Sequence, residues 1–169
     1  MTATFSPCGR YRYSLTRRIT PMFPGPSIMF VMLNPSTADA SSDDATIRRC
    51  IGYARRWGFA ELVVTNLSPL RATDPAVLKA TGSDPDLVAA RNRNEVTAAA
   101  ESADRIVVAW GAHGSWEGRD KEMMATLAPW LDKVYCLGQT DGGQPLHPVR
   151  LPSTIRPYRC TGNLQRGEE

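Results

Sequence analysis

Four short apolar runs punctuate the chain, and each ends abruptly in polar, aromatic or small residues. The runs cover residues 28–33, 62–64, 106–109 and 134–137. Such runs are typical of strands buried in a parallel sheet, and open α/β sheets bind ligands beyond the carboxyl ends of their strands. We therefore expect the residues that follow the runs to converge on one crevice. These residues are Asn34, Asn66, Trp110 and His147.

A helix is predicted after the first run. Ser42 or Asp43 is the candidate cap at its start, and Gly58 is the candidate stop signal at its end. Between them, apolar residues recur at helical spacing and predict one buried face. The residues of that face are Ile47, Cys50, Ile51, Ala54 and Trp57.

Further helices are expected after the second and third runs. Asp74-Pro75 combines a capping residue with a first-turn proline and predicts a short helix. Asp84-Pro85 predicts the start of a longer helix that reaches about Ser102. A last helix is expected around residues 117–131. Strands and helices thus alternate along most of the chain.

This alternation predicts a fold of the α/β class. We expect a three-layer α/β/α architecture with a central, mainly parallel, four-stranded sheet. Residues 10–16 alternate between apolar and polar positions and predict an additional N-terminal antiparallel strand. The prediction is a single domain over residues 1–169, in which 1–26 form the N-terminal strand and loop and 161–169 a flexible polar tail.

Composition narrows the class of protein. The hydrophobic fraction of 42% and the charged fraction of 22% are typical of globular proteins. No apolar run approaches the ~20 residues that span a membrane, and the N-terminus lacks the pattern of a secretory signal. We expect a cytoplasmic protein without a membrane partner. The four cysteines are scattered without a Cys-x-x-Cys pair and there are only two histidines, so neither a metal nor another cofactor is predicted.

The net charge of +3 is mildly basic, and several arginines occur as doublets, among them Arg48 and Arg49. Such doublets can contact phosphate groups. A solvated helix face is an equally good explanation for a net charge this small. Both explanations stay open at this point.

The residues at the ends of the runs allow specific chemistry. Asn66 offers one donor and one acceptor, as the edge of a nucleobase requires, although an asparagine can also simply close a strand. Asn34 has the same two explanations. His147 could donate a hydrogen bond to charge that develops on a leaving group. Acidic residues after position 38 could bind a metal or activate water, but helix capping is commoner at such positions. They are Asp39, Asp43 and Asp44.

Taken in order, these motifs resemble those of the uracil-DNA glycosylase superfamily over roughly residues 27–152. Leu33-Asn34-Pro35 resembles its first motif, and Val64-Thr65-Asn66-Leu67 with Arg71 resembles the strand end that binds a pyrimidine edge. Trp110-Gly111 and His147-Pro148 are similar to its third and last motifs. More narrowly, residues 33–39 (LNPSTAD) resemble an uncharacterised bacterial family that is defined by sequence alone.

The first motif departs from that of the most active glycosylases. These carry Asp before the proline and Tyr after it, whereas this chain has Asn34 and Ser36. The Asn-Pro combination is similar to the branch that excises mismatched bases slowly. A neutral amide can hold a water molecule but cannot act as its base. Catalysis on plain uracil in DNA is therefore not expected.

The resemblance implies an N-glycosidase-like protein that acts on a damaged or modified base in nucleic acid, with DNA as the expected partner. Alternatives are a non-catalytic module that binds a base or nucleic acid, and an enzyme on a free nucleoside. The oligomeric state is left open. In the leading hypothesis Asn34 positions water, His147 stabilises the departing base, and Asp39 is the reserve acid–base group. The other implied contacts are Asn66, Pro35, Ser36 and Trp110 to the base, and Arg71, Arg48 and Arg49 to phosphate.

Overall fold

A mixed seven-stranded sheet forms the centre of the structure. The computed structural model describes residues 1–20, 24–82 and 85–160. In space the strands follow the order β1-β2-β4-β3-β5-β6-β7. Their bounds are β1 Thr2–Phe5, β2 Arg12–Arg18, β3 Ser27–Met32, β4 Glu61–Asn66, β5 Arg105–Val108, β6 Val134–Cys136 and β7 Tyr158–Arg159. The α/β class is therefore confirmed.

The four apolar runs lie in β3, β4, β5 and β6, which pair side by side in parallel. Met32 at the end of β3 is in register with Asn66 at the end of β4. Because parallel strands point the same way, the segments that follow all four strands emerge at one edge of the sheet. This edge is where the predicted crevice belongs.

The outer strands extend the sheet beyond the prediction. The N-terminal strand is present as β2 and pairs antiparallel with β4. The sheet also contains β1, antiparallel to β2, and β7, antiparallel to β6. The predicted sheet of four strands and one N-terminal strand thus contained two strands too few. The two additional strands are short and contain no buried residue, so they lack the apolar pattern that marks a buried strand.

The helices are α1 Ala45–Arg56, α2 Pro75–Thr81, α3 Asp86–Ser102 and α4 Arg119–Thr126. Asp44 caps α1, because its Oδ1 accepts a hydrogen bond from the backbone N–H of Ile47 at 2.8 Å. The prediction of Ser42 or Asp43 as the cap was therefore wrong by one or two residues. Asp43 instead accepts a hydrogen bond from Arg17.

Two of the predicted helix boundaries are confirmed. Asp74 caps α2 and Pro75 is its first residue, while α3 ends at Ser102. Asp84, the predicted start signal of α3, lies outside the described residues, as do residues 21–23 and the predicted tail at 161–169. No helix within the described ranges has the length and apolar character needed to cross a membrane.

The predicted helix over residues 117–131 is divided into three pieces. A 3-10 turn over Trp116–Gly118 precedes α4, and a second 3-10 segment covers Ala128–Lys133. Glu117 and Gly118 have positive φ angles of 51° and 68°, which an α-helix does not accommodate. Pro129 in the second segment cannot donate an intrahelical hydrogen bond. The apolar spacing alone therefore overestimated the length of this helix.

Apolar cores cover both faces of the sheet. Side chains of β3 alternate between them, since Phe30 packs in the core beneath α1 whereas Val31 packs in the core that includes α3 and α4 residues. Both side chains are fully buried. Burial of a side chain of this size contributes about 1.5–3 kcal/mol. The central parallel strands are thus fixed from both sides, and their carboxyl ends form a rigid base for the loops above.

Candidate functional site

A cavity of about 400 Å³ opens at the carboxyl ends of the parallel strands. This volume falls in the range of pockets that bind small molecules. Its wall comes from segments that are far apart in the chain. The lining side chains that could bind a ligand or take part in a reaction include Arg12, Asn34, Asp44, Trp110, His113 and His147.

The topology explains the position of the cavity. The loop after β3 leads to α1 on one face of the sheet, whereas the loop after β5 leads to α4, which packs against the opposite face. Since β3 and β5 are neighbours, their loops diverge and leave a crevice between them. Of the four strand-end residues, Asn34, Trp110 and His147 line this crevice.

Asn34 is held by its amide nitrogen. Nδ2 donates to the carbonyl oxygens of Ala72 at 2.7 Å and Pro35 at 3.1 Å, so the β3 loop is tied to the loop after β4. Oδ1 has no hydrogen-bond donor within the described part of the chain. Asn34 can therefore offer an acceptor to a water molecule or ligand in the cavity.

His147 is held in one tautomer. Its Nδ1 accepts a hydrogen bond from the backbone N–H of Val149 at 3.4 Å, where the 3-10 turn Pro148–Arg150 begins. A neutral imidazole that accepts at Nδ1 carries its proton on Nε2. Burial lowers the pKa of His147, and the charge of Asp44 opposes this effect. His147 is thus a neutral hydrogen-bond donor at neutral pH.

Trp110 is anchored from behind the cavity. Its indole Nε1 donates to Oε1 of Gln144 at 2.7 Å, and Nε2 of Gln144 donates to Oδ2 of Asp120, also at 2.7 Å. This chain of hydrogen bonds connects the loops after β5 and β6 to the start of α4. Trp110 therefore contributes an apolar surface to the cavity, because its one donor is already used.

Asn66 does not line the cavity, although its neighbour in register, Met32, does. The residue is 1% exposed, and neither Oδ1 nor Nδ2 of its side chain has a hydrogen-bond partner. Its backbone oxygen accepts from Nδ2 of Asn92 at 2.9 Å. The structure thus leaves the buried amide of Asn66 unsatisfied, next in register to Met32 of the cavity wall.

The two candidate aspartates have different surroundings. Oδ1 of Asp39 accepts from the backbone N–H groups of Ser41 and Ser42, both at 2.8 Å, and these bonds lower the pKa of Asp39. Asp39 does not line the cavity. Asp44 caps α1 and is also the one carboxylate among the described residues of the cavity wall. The sequence named Asp44 in the acidic cluster but singled out Asp39 as the reserve acid–base group.

Arg12 is a cavity residue that the sequence did not single out. The alternation over residues 10–16 put Arg12 on the polar side, yet Arg12 is only 1% exposed, as is Arg17 just beyond that range. Nη1 of Arg12 donates to the carbonyl oxygen of Ala38 at 2.8 Å, and Arg17 donates to the carbonyl oxygen of Asp39. The loop after β3 therefore covers both guanidinium groups. Nothing local to β2 marks this burial, because the covering loop is distant in sequence.

The predicted phosphate contacts lie in two neighbouring clefts. Arg71 lines a cleft of about 370 Å³ that shares Ser36 with the main cavity, and its guanidinium lies 5.2 Å from the centre of the Phe5 ring. Arg48 and Arg49 line a cleft of about 320 Å³ along α1. Pro35 is buried beside the main cavity without lining it.

The described residues contain no group of three or more His, Cys, Asp or Glu side chains arranged to hold a metal ion. The cavity instead combines hydrogen-bond donors, acceptors and one aromatic surface. Such a combination suits an organic ligand with polar edges.

Residues 12–149 match the model of a family described as Protein of unknown function (DUF1643). The chain belongs to the DUF1643 family. Membership confirms the narrower of the two resemblances, namely that to an uncharacterised family defined by sequence. The matched range contains Arg12, His147 and every cavity residue between them, whereas β1 and β7 of this DUF1643 protein lie outside it. Neither a curated protein nor a solved structure matches the chain.

Proposed function

We propose that this protein is an N-glycosidase-like hydrolase that binds a damaged or modified base of nucleic acid in the cavity. The observation that carries the proposal is the pair formed by His147 and Asn34. A neutral donor and an unused acceptor line one cavity at the carboxyl ends of the strands. Four ordered motifs similar to those of the uracil-DNA glycosylase superfamily support the same reaction class.

In the proposed reaction, water adds to C1′ of the sugar while the bond between C1′ and the base nitrogen breaks. The electron pair of that bond leaves on the base. Oδ1 of Asn34 accepts a hydrogen bond from the water and orients it, and Nε2 of His147 donates to the departing base anion. The proton that the water loses passes to Asp44 and then to the released base. Asp44 thus takes the role first considered for Asp39.

Asn66 is the proposed contact to the edge of the base. Its buried amide lacks both a donor and an acceptor partner, and each unsatisfied group costs about 1–3 kcal/mol. Met32 lies next to Asn66 in register and lines the cavity, and methionine side chains adapt readily to new neighbours. A base that displaces Met32 would satisfy the amide, which favours ligands with complementary edges.

A nucleic-acid substrate is favoured by the clefts on either side of the cavity. Arg71 lies on one side, and Arg48 and Arg49 lie on α1. Arginines in this arrangement suit the phosphates that flank a flipped nucleotide. Flipping costs least at mismatched, damaged or single-stranded positions. The proposed substrate is therefore a damaged or modified base in such a position.

Two substitutions at His147 test the proposal with the full chain. His147→Asn keeps an acceptor near the Nδ1 position but removes the Nε2 donor, whereas His147→Gln places an amide donor near Nε2. The substrates are single-stranded oligonucleotides that each carry one modified base, and free base and alkali-induced strand cleavage are measured. We expect His147→Asn to slow release by about 100-fold or more. His147→Gln should retain more activity than His147→Asn.

Asn94→Ala, on the exposed side of α3, is the control variant and should release base at the wild-type rate. Absence of release by the wild type across the panel would contradict the proposal. Equal rates of base release by His147→Asn and by the wild type would also contradict the proposal.

A non-catalytic base-binding module is the second candidate function. The neutral amide of Asn34 favours it, since an amide cannot take a proton from water. Oligonucleotide binding that depends on Asn66, without any release of base by the wild type, would support this module. Absence of binding would remove both candidates.

A further inference from the structure

Arg12 places a buried positive charge in the wall of the cavity. It forms no ion pair within the described ranges of the chain. Nη1 donates to Ala38, but the buried Nε has no hydrogen-bond partner. Burial of a charged group without compensation is costly. A partly unsatisfied guanidinium beside a ligand-sized cavity therefore indicates an anionic ligand group.

The charges around Arg12 favour an anion as well. The pKa of Arg12 is lowered to about 10, chiefly by burial and also by repulsion from Arg71 and Arg17, while the charge of Asp44 raises it. Arg12 is still protonated at neutral pH. Arg17 is compensated by its ion pair with Asp43 at 2.7 Å, whereas Arg71, like Arg12, has no ion pair with a described residue. Asp44 is thus the carboxylate whose charge acts on Arg12, and Arg71 adds to the positive charge nearby.

Three hydroxyl groups complete the donor set. Ser36, Thr46 and Thr73 line the same cavity, and none of these hydroxyls has a hydrogen-bond partner among the described residues. Thr46 also lies in the first turn of α1, where backbone N–H groups have no intrahelical acceptor and the helix dipole favours negative charge. A guanidinium combined with hydroxyl and backbone donors is well suited to a phosphate group.

We propose that Arg12 and these hydroxyls bind a phosphate group of the substrate nucleotide, so that the cavity takes a nucleotide and not a free base or nucleoside. This inference rests on the proposed function and names the substrate class of the same cavity. Arg12 belongs to β2, whereas Trp110 and His147 follow β5 and β6, three or four strands away in the sheet. Neighbouring strands lie about 4.8 Å apart. The two ends of a nucleotide can therefore reach separate parts of the cavity.

Calorimetric titration of the full chain tests the site. The probes are the common nucleoside 5′-monophosphates, the matching nucleosides and inorganic phosphate. At least one nucleotide should bind with a Kd about 10- to 100-fold lower than that of its nucleoside, because the phosphate adds charge-assisted hydrogen bonds. Inorganic phosphate should compete with that nucleotide. Equal Kd values for every nucleotide and its nucleoside would overturn the proposal.

Arg12→Met and Arg18→Met form a matched pair of variants. Both remove one positive charge from β2, but Arg18 is exposed and does not line the cavity. We expect Arg12→Met to abolish the preference for the nucleotide over its nucleoside, while Arg18→Met retains the preference. The same loss in both variants would overturn the proposal. If Arg12→Met does not fold, lack of competition by inorganic phosphate in the wild type overturns it instead.

Oligonucleotides separate this inference from the proposed function. Tighter binding of 5′-phosphorylated strands than of hydroxyl-ended strands would assign the phosphate to a strand end, and a preference for mononucleotides alone would assign it to free nucleotides. Base release that Arg12→Met does not affect, with no preference for any phosphorylated ligand, would remove the phosphate site and keep the N-glycosidase. A preference for phosphorylated ligands that depends on Arg12, without base release by the wild type, would keep the phosphate site and remove the N-glycosidase.

Discussion

Gly114 has no room for a side chain, and this single position controls how Trp110 lies in the cavity. A Cβ atom at residue 114 would approach Cδ1 of Trp110 to 1.9 Å and its Nε1 to 2.4 Å. Protein interiors are close-packed, so such an approach forces neighbouring groups to move. A shift of the indole would disturb its hydrogen bond to Gln144. The shape of the cavity wall thus depends on a glycine behind it.

We expect Gly114→Ala to lower the free energy of unfolding by about 1–3 kcal/mol, as overpacking of a core commonly does. Gly142→Ala is the matched control, because a Cβ there meets only Oγ1 of Thr140 at 3.9 Å. Urea unfolding followed by tryptophan fluorescence measures both variants. Equal free energies of unfolding for the two variants would show that Trp110 adapts without cost.

The sequence could predict that residues at the strand ends lie near one cavity, but it could not predict which distant residues contact them. Asn34, Trp110 and His147 line the cavity because a parallel sheet brings its carboxyl ends to one edge. Asn66 has the right position at the end of β4, but it is buried and does not line the cavity. Arg12 was missed because its burial depends on a loop more than twenty residues away. The apolar periodicity of a strand does not show which distant segment of the chain will cover it.

At the scale of elements, α1 connects two parts of the cavity wall. Its N-terminal cap, Asp44, lines the cavity directly. In its third turn, the hydroxyl of Tyr53 lies 3.1 Å from the carbonyl oxygens of both Leu151 and Pro152 and donates its one proton to them. The ring of Tyr53 stacks on Trp57 at 5.1 Å between centroids. The segment that follows His147 is thereby fastened to the helix.

Tyr53→Phe should therefore loosen the segment after His147 while the core remains intact. We expect a loss of about 1 kcal/mol in the free energy of unfolding, the usual net value of one hydrogen bond. Hydrogen exchange of the Val149 amide, which donates to His147, should become faster. Tyr135→Phe is the control, because the Tyr135 hydroxyl makes no hydrogen bond with a described residue. Unchanged exchange at Val149 in Tyr53→Phe would contradict this role of α1.

Helix and strand predictions succeeded where an apolar run or a capping signal was strong. They failed where a segment was short or its helix was interrupted. The four buried strands and α2 were recognisable from apolar runs and from Asp74-Pro75. The segment over residues 117–131 has helical spacing, but Pro129 and the positive φ of Glu117 divide it. The two-residue strand β7 contains too little sequence to carry a pattern. Backbone constraints at single residues therefore outweighed amphipathic spacing.

At the scale of the whole molecule, positive charge lies around the cavity more than within it. The net charge is only +3, but Arg48, Arg49 and Arg56 share one cleft and Arg71 lines another. Contacts between arginines and phosphates release counterions from nucleic acid, so binding weakens as salt increases. A molecule with a modest net charge can therefore still bind a polyanion through one region of its surface.

We expect Arg48→Gln to reduce the slope of log Kd against log salt for a single-stranded oligonucleotide by about 0.7, the value for one phosphate contact. Arg55→Gln is the control, since Arg55 lies on the same helix, is exposed and does not line the cleft. Fluorescence anisotropy at several salt concentrations measures both slopes. Equal slopes for the two variants would show that the cleft makes no specific phosphate contact.

The cavity wall contains residues from Arg12 to His147, and these lie on segments from both sides of the sheet. No fragment of the chain holds the complete wall, so the cavity exists only while the entire parallel sheet is assembled. By thermodynamic linkage, a ligand that contacts this whole wall stabilises the folded state as one unit, by RT ln(1 + [L]/Kd). Occupancy of the cavity is thereby coupled to the lifetime of the folded protein. Any ligand that fills the cavity is therefore expected to stabilise the folded protein.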